Sequence, residues 1–179
     1  RDEGLMRKLR ILADDLTGAL DAAAPLAGLA KSYKLPIHLD TPARSDAAMQ
    51  ALAVATRDAA PDSLPELLKD AVPWLADSPL AFKKVDSLLR GNTLAEVAHV
   101  ARAGNFERVI FAPAFPAQNR FTRGDRHWAP SANEARRVAS ECLSSTFERL
   151  GLSARSLAWL YPGDLPNEQV LIPDIATDV

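Results

Sequence analysis

Cysteine occurs once in the 179 residues, at Cys142, so no internal disulfide can staple the chain. That cysteine sits in an apolar-periodic stretch read as helical, which favours a buried structural thiol over a reactive one. No apolar run approaches the roughly 20 residues that span a bilayer. Residues 1–10 lack the apolar core of a secretory signal. These absences together lead us to expect a cytoplasmic protein. A surplus of positive charge is missing too. Lysine and arginine number 21 against 23 aspartates and glutamates, for a formal net charge of −2. No overall basic field exists to hold a phosphate backbone or an anionic membrane, so neither nucleic acid nor membrane is expected as a partner. The 8 glycines fall into neither a Gly-x-x-x-x-Gly-Lys-Ser/Thr loop nor a Gly-x-Gly-x-x-Gly turn, and no nucleotide cradle is evident. His38, His99 and His127 lack metal-ligand spacing, so no metal site is expected. Ser87 has no histidine at a spacing that would suggest a hydrolytic triad.

What is present is ordinary globular composition, 47% hydrophobic and 25% charged. A chain of this length buries about two-thirds of its unfolded surface, and residues 1–179 read as one domain. Met6 is a candidate natural start, with residues 1–5 a remnant or an upstream extension. Short apolar runs predict strands at 10–13, 36–40, 51–56, 80–85, 109–112 and 169–172. Between them, helical patterns fall at about 17–30, with Pro25 expected to kink or break the helix, at 62–75 behind an Asp62-Ser63 cap, and at 93–103 with Gly104 as a stop. Residues 133–150 read as one further amphipathic helix carrying Val138, Cys142, Leu143, Phe147 and Leu150. Strands alternating with helices predict an α/β fold, three-layered, with a mostly parallel sheet of five or six strands and helices on both faces. Right-handed crossovers put the C-terminal strand ends along one edge, where ligands bind in folds of this type.

Polar residues crowd three strand ends. In Asp14-Asp15-Leu16-Thr17-Gly18-Ala19, two adjacent carboxylates repel one another and cost solvation. One can cap the following helix while the other faces the crevice, and a solvated turn is the plain alternative. In Lys83-Lys84-Val85-Asp86-Ser87-Leu88-Leu89-Arg90-Gly91-Asn92, the cations can hold a carboxylate or phosphate beside the free amides of a helix start. Asp86 can accept a sugar hydroxyl or its proton; the plain alternative is a surface Lys84–Asp86 pair, worth only about 0–1 kcal/mol. The long segment from Pro113 to Pro130 interleaves Arg120, Arg123, Arg126 and His127 with Phe121 and Trp128. It suits an anionic small molecule better than nucleic acid, and a solvated loop remains the alternative.

At these three places, in this order and spacing, the chain resembles the four-carbon acid sugar kinases, also called tetronate or hydroxy-acid kinases. The matching stretches are Ala13 to Asp21, Lys83 to Asn92, and Ala112 through Pro116 and Arg120 to His127. The resemblance implies transfer of the γ-phosphoryl group of ATP, with Mg²⁺, to a hydroxyl of a threonate, an erythronate or a 3-oxo-tetronate. It also implies two α/β domains, of which this chain supplies the sugar-acid-binding N-terminal one and a C-terminal domain holds the nucleotide. Asn119 stands where the family usually has glycine, and asparagine tolerates a left-handed backbone, so the turn there is expected to survive. Phe121 replaces a small hydroxyl residue, and Gly124-Asp125 looks inverted.

Carried onto this sequence, the resemblance makes Asp86 the first candidate, and Asp15 the second, for orienting or deprotonating the attacking hydroxyl. Asp14, Lys84, Ser87, Arg90, Gly91, Asn92 and Arg120 are then the substrate-binding candidates. Lys84, Arg90 and the amides near Gly91-Asn92 would hold the carboxylate, the aspartates would take the hydroxyls, and Arg120 would close over the substrate or meet the phosphate. Two other classes stay open: a non-catalytic sugar-acid-binding or degenerate kinase-like module, and a flavodoxin-like interaction domain with incidental loops. Self-association into a homo-oligomer is also open. Residues 1–179 alone are expected to show no magnesium- and sugar-acid-dependent ADP release from ATP, because catalysis needs both reactants held in line; a coupled ADP assay on the purified chain checks this.

Overall fold

A computed structural model of the chain describes residues 8–29, 35–130, 135–138, 141–158 and 165–177. They form two compact units, Arg1–Val85 with Gly91–Asn105, and Asp86–Arg90 with Phe106–Val179. Met6, Ala30 and residues 133, 134, 139 and 140 of the sequence reading lie outside the described residues.

The first unit is built on β1 (Leu9–Ala13), β2 (Ile37–Leu39), β3 (Met49–Ala53) and β4 (Leu80–Lys84), all parallel in the order β2-β3-β1-β4. Alternation along β1 decides which side each residue serves. Ile11 and Ala13 face α1 (Leu16–Leu29), where they pack with Ala51 and Ala53 of β3 and Ala19 and Ala23 of the helix. Alanines on both surfaces let helix and sheet approach closely. Arg10 points the other way, toward Trp74 of α3 (Ala71–Ala76), whose ring and carbonyl it contacts. Helices therefore cover both faces, and the α/β reading with a mostly parallel sheet is the fold observed. The helix α1 runs through Pro25 without a break.

The helix expected over 62–75 is instead a 3₁₀ turn (Pro61–Ser63), α2 (Leu64–Leu67) and α3, separated by a turn at Leu68, Lys69 and Asp70. Pro73 explains the split: it has no N–H for the Lys69 carbonyl and its ring crowds that carbonyl. Leu64, Leu68, Val72 and Leu75 remain buried throughout. The helix α4 (Thr93–Ala103) matches expectation and stops at Gly104, which keeps φ −86° while the next residue, Asn105, takes the left-handed φ of 51°.

In the second unit, β5 (Val109–Ile110), β9 (Ala154–Leu157) and β10 (Val170–Pro173) form a parallel sheet in the order β5-β10-β9. The fifth and last strands predicted from sequence thus pair in a sheet of their own rather than with β1. Val170, Leu171 and Ile172 are fully buried, and Phe147 of α5 (Leu143–Arg149) meets Phe111 edge to face at 5.0 Å. Among the described residues of the predicted 133–150 helix, only Leu143–Arg149 is helical. Ala135–Arg137 is instead a strand, β8, and Cys142 precedes the helix in an extended conformation. With β6 (Phe121–Arg123) and β7 (Arg126–Pro130), two strands in the segment expected to be a loop, β8 completes an antiparallel sheet.

The β6–β7 hairpin turns on Gly124 and Asp125, with φ of 57° and 62°. A two-residue turn with both positions left-handed matches the twist of its strands, so the apparent inversion of these residues changes little, because both glycine and aspartate tolerate that conformation. A Cβ at Gly124 would meet nothing within 4 Å, so substitution there reads backbone cost alone. Gly124→Val should lower unfolding free energy by about 1–2 kcal/mol, and Gly124→Asn by clearly less. Denaturant unfolding of the two variants checks this; equal losses would point to a cause other than backbone conformation.

Candidate functional site

In the first unit, β1 delivers Asp14 and Asp15 and β3 runs past its end to deliver Thr56 and Arg57. The Val54 amide bonds the Ala13 carbonyl at 3.0 Å and the Thr56 amide the Asp14 carbonyl at 3.3 Å, so the two strand ends advance together. Asp14 is 2% exposed. Arg57 donates Nε to its Oδ2 at 2.9 Å and Nη2 to its Oδ1 at 3.0 Å, a side-on fork, and gives Nη1 to Asp15 Oδ2 at 2.5 Å. The other Asp15 oxygen accepts the Gly18 amide at 2.6 Å and so caps α1. One guanidinium thereby settles the repulsion that made the adjacent carboxylates conspicuous.

Arg57 is pinned by its backbone as well. Gly91 has φ 62°, and a Cβ there would lie 2.0 Å from the Arg57 carbonyl oxygen. Asn92 donates its side-chain amide to the carbonyls of Thr56 at 2.9 Å and Ala59 at 2.8 Å. Its side chain thus braces the Arg57 loop rather than capping α4. Beneath, Thr56 Oγ1 donates to Glu96 at 2.9 Å, and Lys83 pairs with the same Glu96 oxygen at 3.0 Å, Glu96 being 1% exposed. Lys84, on the opposite side of β4, lays its stem against the first turn of α1 and donates Nζ to the Val85 carbonyl.

In the second unit, Asp86 is 5% exposed and organises the loop Asp86–Arg90. Its Oδ2 accepts the Leu88 amide at 3.1 Å, the Arg90 amide at 3.0 Å and Arg90 Nε at 3.0 Å, and its Oδ1 accepts Arg90 Nη2 at 2.6 Å. Burial alone would raise the Asp86 pKa, but the hydrogen bonds from Arg90 outweigh it and hold the carboxyl well below the usual range. Arg120 donates Nη1 to the Ser87 hydroxyl. Its backbone is set by a bridge with Phe115 around Asn119, whose left-handed φ of 54° is the turn expected to survive the loss of glycine. His127 is 1% exposed, and burial lowers its pKa.

Every candidate named from sequence is thus placed: Asp14, Asp15, Lys84, Gly91 and Asn92 in the first unit, and Asp86, Ser87, Arg90 and Arg120 in the second. Arg57, Thr56 and Glu96 escaped the sequence reading. The rule that site residues follow strand ends pointed at Thr56 and Arg57, but neither stands in a charged run that would draw attention. Among the described residues, no group of three or more His, Cys, Asp or Glu is arranged to hold a metal ion, and no helix is long and apolar enough to cross a membrane.

The family described as a sugar-binding N-terminal domain matches residues 9–146. The D-threonate kinase of Salmonella typhimurium strain LT2 is 32% identical over 120 residues, covering 64% of this chain and 28% of that protein. A D-threonate kinase of Cupriavidus necator is 38% identical over 122 residues, with the same coverages of 64% and 28%. The chain spans a little over a quarter of the length of these curated relatives. Among solved structures, a Salmonella typhimurium LT2 protein provisionally described as a tRNA synthase superposes with a TM-score of 0.70 at 15% identity, over 96% of this chain and 48% of that one. The Haemophilus influenzae protein HI1011 superposes with a TM-score of 0.67 at 14% identity, over 93% and 48%. At such identities the likeness is one of fold.

Two outcomes follow from the geometry. Arg57→Ala strands a buried Asp14 carboxylate and should cost about 3–5 kcal/mol, measured by denaturant unfolding, whereas exposed Lys69→Ala, whose Glu66 partner lies on the surface, should leave the unfolding midpoint nearly unchanged. Acid should destabilise the second unit in two steps. The His127 pKa is depressed from 6.5, so the unfolded state binds more protons and stability falls as pH drops below about 6.5. Asp86, depressed from 3.8, contributes stability that is lost as pH falls below about 4. His127→Gln should flatten the first step and Asp86→Asn the second in melting curves recorded from pH 8 to 3.

Proposed function

We propose, for a chain that belongs to the family of sugar-binding N-terminal domains, that it is the substrate-binding part of a kinase for a four-carbon sugar acid, D-threonate being the first candidate. The observation that carries this reading is the pair of carboxylates at the end of β1, held and oriented by Arg57, in a chain similar to proteins named D-threonate kinase. Vicinal hydroxyls are good partners for fixed carboxylates, and a sugar acid's own carboxylate needs a cation. The first unit offers Lys84 for that cation and the second offers Arg90 and Arg120. Ser87 keeps its own hydroxyl proton to donate while accepting from Arg120.

In this proposal Asp15 ranks above Asp86 as the carboxylate that orients or accepts the proton of the attacking hydroxyl. A carboxylate offers about four lone-pair sites. Asp86 receives four donors and is buried, while Asp15 receives two, from Gly18 and Arg57, and its side chain is 29% exposed. Asp86 then shapes the loop that presents Ser87 and Arg90. Gly91 and Asn92 act through the Arg57 loop, Gly91 by yielding space and Asn92 by bracing it.

The reaction class is phosphoryl transfer from ATP, with Mg²⁺ neutralising charge on the transferred group. The residues described here fit neither a nucleotide cradle nor a metal, so both are assigned to the part of the relatives' length that this chain does not span. A cytoplasmic setting belongs to the same proposal. The reading of a binding module without catalysis differs only in that part, and ATP turnover by the longer protein separates the two.

Titration calorimetry of this chain with D-threonate, D-erythronate and L-threonate tests the substrate class, and saturable binding of one of them is expected. In the longer protein, Asp15→Asn should lower kcat by about 10²-fold or more, while Arg90→Ala should mainly raise KM. If Asp86→Asn lowered kcat with stability intact while Asp15→Asn did not, the ranking of the two aspartates would be reversed.

A further inference from the structure

We propose that His127 is a positioning residue for the substrate loop Asp86–Arg90, gripping the Ser87 carbonyl through one imidazole tautomer that Thr122 selects; this rests on the reading that Ser87 and Arg90 meet the sugar acid. The His127 Nε2 lies 2.7 Å from the Ser87 carbonyl oxygen. A carbonyl only accepts, so Nε2 carries the proton and donates it. In a neutral ring Nδ1 is then an acceptor, and Thr122 Oγ1, at 3.2 Å, is the hydroxyl that donates to it.

The arrangement is built from the hairpin upward. Thr122 and His127 are directly opposed in the β6–β7 register, so the Gly124-Asp125 turn sets which side chain meets the ring. Thr122 is fully buried, and its backbone exchanges two hydrogen bonds with Ile175, at 2.9 and 2.8 Å. A rigid backbone thus holds a hydroxyl, the hydroxyl holds a ring, and the ring holds the loop. The charged groups that bear on the imidazole are Arg120, which opposes its protonation, and Asp86, which favours it. Burial is the chief opposition to protonation and outweighs the Ser87 hydrogen bond that favours it, so the ring stays neutral at neutral pH, the form that a single donating nitrogen requires. Ser87 is therefore held twice, at its carbonyl by His127 and at its hydroxyl by Arg120.

The test compares His127→Phe, which fills the space without a donor, His127→Gln, whose side-chain amide can reach the same carbonyl, and Thr122→Val, which removes the selecting hydroxyl at constant shape. Two readouts are taken on folded protein: the D-threonate Kd by calorimetry, and amide hydrogen exchange at Leu88 and Arg90. His127→Phe should weaken D-threonate binding about tenfold, the worth of one net hydrogen bond, and speed exchange at both amides. His127→Gln should restore both readouts to near the original values, and Thr122→Val should show a smaller loss of each. Unchanged Kd and unchanged exchange in His127→Phe overturn the proposal, as does failure of Gln to rescue. If His127→Phe does not fold, Thr122→Val decides by the same two readouts. If the unmodified protein binds no sugar acid, the substrate reading fails on its own, and exchange at Leu88 and Arg90 still decides whether His127 positions the loop.

Discussion

Two carboxylates joined by a single peptide bond at a strand end require a cation that can serve both, and Arg57 is that cation. Much of the first unit's sheet edge is arranged around this requirement. Arg57 can reach Asp14 only because β3 extends past β1 in register, and it holds its direction only because Gly91 leaves room for its carbonyl. A planar fork suits this task better than an ammonium, since three N–H groups leave one plane in fixed directions. Asn92 and Thr56 are then constrained in turn, one by the carbonyls of the Arg57 loop and the other by Glu96. A charge problem created by sequence is thereby converted into a geometric specification for four other residues.

The second unit solves a similar problem locally. Asp86 receives its counter-ion from four residues further along the same short loop, with backbone amides supplying the remainder. Asp86 thus finds a cation four residues on, whereas the Asp14-Asp15 pair depends on a residue more than 40 positions away. The contrast matters for function. A saturated carboxylate maintains shape, and one with spare lone pairs and exposure can meet a ligand.

The alternation of apolar runs and helical patterns was enough to read an α/β fold with helices on both faces, because strand and helix periods differ and each polar strand end marks a boundary. The failures have separate physical causes. Pro73 interrupts what hydrophobic spacing alone reads as one helix. Residues 121–130 interleave arginines with aromatics and show no apolar run, so nothing local marks the two strands that hairpin pairing makes of them, with Thr122, His127 and Ala129 turned inward. The partition of the parallel strands into two sheets is a long-range matter that no local pattern encodes. Among the candidate site residues, Asp14, Asp15 and Asp86 were legible because charge at a strand end is costly unless used. Arg57 was not, since an arginine after a strand looks like surface until its partners are known.

The alanine-lined contact between α1 and the sheet carries a dynamic consequence. Ala19 and Ala23 against Ala13, Ala51 and Ala53 permit a short approach, with Ile11 and the partly buried Leu26 filling the rest, while Leu16 and Leu20 of the same helix stay exposed. The first turns of α1, whose leucines stay in solvent, fray at lower free energy than the leucine-rich opposite face opens. Its first turn is fastened to the rest by the Asp15 cap. A ligand that engages Asp15 therefore meets a helix whose fraying it can suppress, and part of its binding energy is spent on order rather than on affinity.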